Sequence, residues 1–346
     1  MLYKIIELDM NDEKYLNQPI LSSSNFKDWN ENYSINNISN KVNSIISNVI
    51  NSEEHYCEYV GSQGIRKSCE MTSLDNSRLI HEYDFYNLNP YTVLYLKTDK
   101  LPQFEKIINQ LPCKIILVTG SSDYTVPYDV FSSEQQFVNF LNSPNIVHWF
   151  VENCVAFHPK ITQIPIGLDY HTVSYGNHEW SHQMTSIEQE KQIKNVSINS
   201  KPFWERKPIA YSNFHFFTNS KFGQDRIDAI NQIPKQLVYY EPIKVKRLDT
   251  WNNQSEYAFV ISPLGNGLDC HRTWEALVLG CIPIVKTSPL DNLYTELPVL
   301  IVQKWSDIKE ELLISTIEKF KTTQFNLEKL TLKYWIDLFN SKKNII

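Results

Sequence analysis

Residues 257–285 read YAFVISPLGNGLDCHRTWEALVLGCIPIV, and this stretch decides the fold. Phe259-Val260-Ile261 is an apolar, β-rich run that breaks at Ser262-Pro263 into a loop holding Gly265 and Gly267, two of the chain's 9 glycines. From about Cys270 to Leu279 apolar residues recur at helical spacing, Gly280 closes the helix, and Ile282-Pro283-Ile284-Val285 is a second buried-strand run. In such a strand-loop-helix-strand unit, ligands sit outside the carboxyl ends of the strands, where the helix start offers unpaired N–H groups and a partial positive charge. His271 and Arg272 stand in that first turn and Glu275 follows one turn after Arg272. They offer a cation for a diphosphate and a carboxylate for ribose hydroxyls. The competing reading is a plain β-α-β unit with Arg272 and Glu275 as a solvated i, i+3 pair.

The same alternation extends outward from this unit. Thr92 to Leu96, Lys114 to Thr119 (KIILVT), Ile146 to Phe150 and Ile161 to Ile166 read as strands, the last broken by Pro165. Phe104 to Leu111 and Ser133 to Asn142 read as the helices between them. After a loop over residues 167–185, a polar helix spans Ser186 to Asn195, and Lys201 to Lys207 reads as a linker. Strand Ile209 to Ser212, helix Gln224 to Ile233 and strand Leu237 to Tyr240 follow. Helices near Trp305 to Phe320 and Leu327 to Phe339 finish the chain. The expected class is α/β, with two Rossmann-like domains facing across a cleft. The boundaries expected are a preface over residues 1–80 packed on or extending the first domain, a first Rossmann-like domain over 81–203, and a second, carrying the anion site, over 204–346.

Composition agrees with two packed cores: of 346 residues, 42% are hydrophobic and 13% aromatic. Net charge is −6, and no dense Lys/Arg tract is present, so nucleic acid is not an expected partner. The opening MLYKIIELDMNDEKY lacks the apolar run of a signal or membrane anchor, which leads to the expectation of a cytoplasmic protein without a transmembrane segment. The 6 cysteines show no C-x-x-C pair and read as reduced thiols.

Several common chemistries drop out on spacing. Gly265-x-Gly267 is followed by Cys270 where a dinucleotide fingerprint needs its third glycine, and no Walker pattern occurs. No D-x-D pair is present to hold a divalent ion on a diphosphate. His178-Glu179-Trp180-Ser181-His182 matches H-E-x-x-H, but Gly176-Asn177 precedes it and no apolar helical pattern surrounds it. We therefore expect no metal ligands and a metal-independent mechanism.

The S-P-x-G-x-G-x-D-x-x-R-x-W-E-A-L-x-x-G-C-I-P-I-V pattern of residues 262–285, the later Tyr294-x-Glu296-Leu297-Pro298, and the opening strand Lys207 to Ser212 resemble the exostosin-type glycosyltransferases of the GT-B fold. The likeness runs from about residue 205 to 310. It implies transfer of a sugar from a nucleoside diphosphate donor, expected to be UDP-linked and the only co-substrate, to a hydroxyl of a glycan or glycosylated acceptor. Inverting stereochemistry is expected, as is a final helix that crosses back onto the first domain. The donor site would then comprise Ser212, Ser262, Gly265, Asn266, Gly267, Asp269, His271, Arg272 and Glu275. Inverting transfer also needs a base opposite the leaving diphosphate. Asp123, after KIILVTG, and Asp169 with His171, after ITQIPIG, stand at the carboxyl ends of expected strands and are the candidates. A silent nucleotide-sugar or glycan-binding module and a nucleotide-sugar-modifying enzyme are the alternatives.

Overall fold

The computed structural model describes residues 53–72, 87–214 and 219–344. Glu53–Ile346 form one compact unit, and expectations for residues 1–52 lie outside the described residues. Two five-stranded sheets, all parallel, organise the unit. The first contains β1 (Met71–Thr72), β2 (Thr92–Lys97), β3 (Ile115–Gly120), β4 (Ile146–Val151) and β5 (Ile161–Gln163), paired in sequential order. Its helices are α1 (Ser62–Ser68), α2 (Leu101–Phe104), α3 (Glu134–Leu141), α4 (His171–Tyr175) and α5 (Ser186–Asn199). Because β1 pairs with β2, the segment expected as a preface contributes an edge strand to the first sheet.

Side chains alternate along these strands and so feed two cores. Leu94 and Leu96 of β2, Ile115 and Leu117 of β3, and Trp149 of β4 pack with Phe104, Phe137 and Phe140 of the crossover helices α2 and α3. Val93, Tyr95, Ile116, Val118 and Phe150 face the other way. A sheet wound in one direction places its right-handed crossovers on one face, so the second face needs a cover from elsewhere in the chain.

That cover comes from the second half. Its elements are β6 (Lys207–Ser212), α6 (Gly223–Gln232), β7 (Val238–Tyr240), α7 (Arg247–Gln254), β8 (Tyr257–Ile261), α8 (His271–Val278), β9 (Ile282–Lys286), β10 (Leu300–Val302), α9 (Glu310–Thr322) and α10 (Leu332–Ser341). Trp335 and Phe339 of α10 join the bare face of the first sheet, with the Phe339 ring 4.5 Å from that of Phe150. Backbone bonds from Val60 N–H to Leu330 O (2.9 Å) and from Leu332 N–H to Glu58 O (2.8 Å) fix the return. In the second sheet the order is β7-β6-β8-β9-β10. Residues of α6 and α9 pack on one face with Phe259 and Ile261 of β8, while Trp251 of α7 and Trp274 of α8 share the other core with Val260. Two Rossmann-like halves, one wound singly and one doubly, thus share a continuous core, which is the two-sheet GT-B arrangement the sequence led us to expect.

Some elements differ from the sequence reading. Phe104 to Leu111 is not one helix. It divides into α2 and a 3-10 turn over Ile108–Gln110, because Asn145 Nδ2 donates to the carbonyls of Ile108 (2.8 Å) and Leu111 (3.4 Å). The strand expected to reach Ile166 stops at Gln163, since Pro165 has no N–H and that of Ile166 is taken by Asp269. The two C-terminal helices each begin with a separate 3-10 turn, Trp305–Asp307 and Leu327–Leu330. Helix α5 runs to Asn199, and α7 was not expected at all.

Candidate functional site

Strand order in the second sheet reverses between β6 and β8, and neighbouring connections there leave in opposite directions, opening a crevice at the carboxyl ends. A cavity of about 610 Å³ occupies it. Ser212 ends β6 and Phe214 follows it, Arg247 comes from α7, His271, Arg272 and Glu275 come from α8, and Asp169 and Trp180 enter from the first half. The size and the mix of aromatic, apolar and charged walls suit a small polar ligand.

The loop between β8 and α8 is held rigidly. Asp225 of α6 accepts from Leu264 N–H and Trp305 Nε1, both at 2.9 Å, and pairs with Lys286. Ser262 Oγ and Thr273 Oγ1 lie 2.8 Å apart beneath the helix start. Gly280, at φ +70, ends α8 in the left-handed conformation that glycine adopts without strain.

Two arginines face the cavity in different states. Arg272 donates to Ser262 Oγ (3.3 Å) and Pro263 O (3.2 Å), and its guanidinium lies 5.5 Å from the centre of the Phe214 ring. It forms no salt bridge among the described residues, and burial lowers its pKa from the ordinary value. Arg247, 8% exposed, is tied down by three hydrogen bonds: Nη2 donates to Glu275 Oε1 and to Asp169 O, each at 2.6 Å, and Nη1 to Gln189 Oε1 at 2.9 Å. Trp180 and Trp251 flank it, with ring centres 5.6 and 4.8 Å away. One side chain thereby ties both halves together at the cavity edge.

Asp169 and His171 are positioned by a close approach upstream. Gly167 sits at φ +66, and a Cβ there would fall 2.1 Å from Val60 O, so only glycine allows the chain to pass. Asp169 Oδ1 accepts the Thr172 N–H at 3.0 Å at the start of α4 and lies 3.2 Å from His171 Nδ1. His271 reaches across from α8, its Nδ1 2.7 Å from Gly167 O and its ring centre 5.7 Å from that of His171. Burial acts to raise the Asp169 pKa, but His271, His171, Arg247 and the Thr172 N–H overcome it and hold the carboxyl well below the usual carboxylate range. Burial lowers the pKa of His171 against the attraction of Asp169. The pair thus sets an imidazole nitrogen and a carboxylate oxygen side by side as the two proton acceptors available there.

Of the residues singled out in the sequence, Ser212, His271, Arg272, Glu275 and Asp169 meet at the cavity. Asp269 is instead a buried fastener: it accepts from Ile166 N–H (2.9 Å), Trp274 Nε1 (2.8 Å), Cys270 N–H (2.9 Å) and Tyr294 OH (3.2 Å). Gly267 packs on Asn153, whose Oδ1 accepts the Asp269 N–H at 2.8 Å, so this part of the loop joins the halves. Gly265 N–H is bonded to Gly267 O at 3.1 Å within the loop, and Asn266 is exposed. Asp123 is exposed and does not border the cavity. Glu275 is neutralised on one oxygen by Arg247, a partner the sequence did not indicate. The loop of residues 178–182 reads from the sequence as one beside the cleft, and Trp180 does line the cavity; Arg247 and its bond to Gln189 have no sequence signal, because no apolar period marks α7.

The H-E-x-x-H residues are not on a helix. His178 and Ser181 form an isolated bridge, His178 Nε2 lies 3.0 Å from Thr172 O, and Glu179 pairs with Lys244 at 3.4 Å. All six cysteines are free. Among the described residues, no helix is long and apolar enough to cross a membrane.

No family model and no curated protein matches the chain. Among solved structures, one described as trehalose-6-phosphate from E. coli bound with UDP-2-fluoro glucose is 11% identical, covering 75% of this chain and 74% of that one at a TM-score of 0.35. An alpha1,3-fucosyltransferase is 12% identical, covering 74% and 78% at a TM-score of 0.36. Likenesses of this size carry no argument about activity or ligand.

Proposed function

We propose that the chain is a glycosyltransferase that moves a sugar from a nucleoside diphosphate donor, UDP-linked in the first instance, to a hydroxyl of a glycan or glycosylated acceptor. The observation that carries this reading is Arg272: a guanidinium set at a helix start, inside a switch-point cavity, with neutral hydrogen-bond partners and, among the described residues, no carboxylate paired to it. A half-buried cation with no carboxylate partner among the described residues is costly unless an anion completes it. Diphosphate fits, because Arg272 and the first N–H groups of α8 together offset the charge that builds on a leaving diphosphate, with no metal needed at that end. Glu275, steadied by Arg247, is placed to receive ribose hydroxyls on its second oxygen. His171, 3.2 Å from the Asp169 that borders the cavity, is the base we assign to the acceptor hydroxyl, in keeping with an inverting displacement.

Calorimetric titration with UDP and with uridine tests the reading. Arg272→Ala should weaken UDP by about 1.5 to 3 kcal/mol and uridine far less, whereas Glu275→Ala should weaken both. Unchanged affinity of both variants for both ligands would remove α8 from the site.

A further inference from the structure

We infer that Asp169, His171 and His271 form a binding site for one divalent first-row transition-metal ion, zinc foremost. Each of the three offers one ligand atom, and these atoms all lie within 4.8 Å of one another. His171 Nδ1 and Asp169 Oδ1 are 3.2 Å apart, close to the roughly 3.3 Å that separates two ligands of a tetrahedral ion with bonds of about 2.0 Å.

The hydrogen bonding around the three residues is that of a ligand set. His271 Nδ1 lies 2.7 Å from Gly167 O, and a carbonyl can only accept, so Nδ1 carries a proton and Nε2 is the nitrogen whose lone pair the neutral ring offers to an ion. Fixing the far ring nitrogen on a backbone carbonyl is how proteins orient metal-binding histidines. Asp169 is steadied in the same way by the Thr172 N–H. His171 Nδ1 is buried and makes no hydrogen bond: its contact with Asp169 has the distance but not the alignment of one. A nitrogen withdrawn from water, beside a carboxylate oxygen and without a partner, is accounted for if both atoms face a common ion.

Two imidazoles and one carboxylate select zinc or a similar borderline ion over magnesium or calcium, which take oxygen ligands. Three protein ligands leave at least one coordination position open, the pattern of a reactive rather than a purely structural ion. Asp169 and His271 border the cavity, so a ligand there can complete the shell. His271 turns toward Gly167 of the first half and Arg272 toward Phe214 of the second, which places the ion apart from the guanidinium proposed for the diphosphate. The site joins α4 to α8 and does not rest on the donor reading, but an ion held there takes the lone pair of His171, so the imidazole acts as base only in the ion-free protein. The H-E-x-x-H motif is not part of it.

The test uses the full chain, stripped with EDTA and dialysed free of chelator. Cobalt(II) is titrated by visible absorption and zinc(II) by calorimetry. One ion per chain is expected, with affinity lowered at least tenfold in His271→Ala, His171→Ala and Asp169→Asn and unchanged in His178→Ala. His171→Ala leaves the His271 bond to Gly167 intact, so it decides the matter if His271→Ala fails to fold. Absence of uptake by the wild-type protein, or a loss in His178→Ala equal to that in His271→Ala, would overturn the inference. UDP titrated into the same samples separates the two readings. UDP binding without metal uptake sinks only the ion site, and metal uptake without UDP binding sinks only the donor site.

Discussion

The two sheets have equal numbers of strands, all parallel, but differ in winding, and the difference explains what each half contributes. In the first sheet the order is sequential, no reversal opens a crevice, and one face is left for other elements to cover. In the second, the reversal between β6 and β8 opens the crevice that holds Arg272 and Glu275. The half without a reversal supplies loop residues after β5, Asp169, His171 and Trp180. Winding therefore decides which half presents a pocket and which half borrows cover from its neighbour.

The comparison breaks most visibly at α10, which covers the face the first sheet leaves bare. Ending the chain after Thr331 removes Leu332, Trp335 and Phe339, all buried. Each large-to-small loss of this kind costs about 3 to 5 kcal/mol for an aromatic residue, and a whole domain is stable by only about 5 to 15. The truncated chain should lose its cooperative urea transition. Phe339→Ala alone should lower stability by about 3 to 5 kcal/mol. A truncated protein with a wild-type midpoint would mean that the first sheet is self-sufficient.

A smaller effect, on rate rather than folding, separates the roles of the halves. His171→Ala should lower transfer by about 10² to 10⁴, the worth of a general base, and leave UDP affinity near wild type, because the donor side belongs to the second half. Asp169→Asn should lower it less, since Asp169 flanks the imidazole at 3.2 Å without a hydrogen bond to it and is held too acidic to be a good base. Asp123→Asn, outside the cavity, should be near wild type. Equal transfer by all four proteins in a radiolabelled-donor assay would place the base elsewhere.

What the sequence disclosed follows from how each segment gains its order. KIILVT and YAFVI are buried along nearly their whole length, so their apolar runs are visible without knowledge of neighbours. Helix α8 carries its own signals, with apolar spacing and a terminal glycine. Helix α7, RLDTWNNQ, has one fully buried apolar side chain, Trp251, and Leu248 is 38% exposed. Its anchorage is the Arg247 network with Gln189 and Glu275, which no local pattern encodes. The same limit governs the site: Arg272 was marked by its position in a motif, but the meeting of His171 with His271 is made by the chain crossing at Gly167. Asp269 looked like a ligand residue and is a fastener, because a carboxylate's loop position does not reveal that four donors already surround it.

The mildest expected effect tests a last contrast between the halves. The buried acids of the second half are well supplied with donors, four for Asp269, and two plus Lys286 for Asp225. In the first half Glu54 and Glu152 each leave Oε1 without a partner. Burial pushes the pKa of Glu54 up to about 8, with the charge of Asp169 adding to the rise, while Lys67 and the Gly64 N–H act to lower it. Between about pH 4.5 and 8 the folded protein thus holds a proton that the unfolded chain releases. Stability is fully present below pH 4.5 and falls as pH rises toward 8, by no more than about 5 kcal/mol from this group. Gln at position 54 keeps an oxygen for the Gly64 N–H and cannot ionise, so Glu54→Gln should be more stable than wild type at pH 8 and similar at pH 4. Urea midpoints at pH 4, 6 and 8 provide the measurement. Glu152, pushed well above its ordinary value by burial, should leave a residual slope in the variant. Parallel pH profiles for wild type and Glu54→Gln would show that the Glu54 carboxyl ionises freely in the folded protein, and the contrast between the halves would then rest on winding alone.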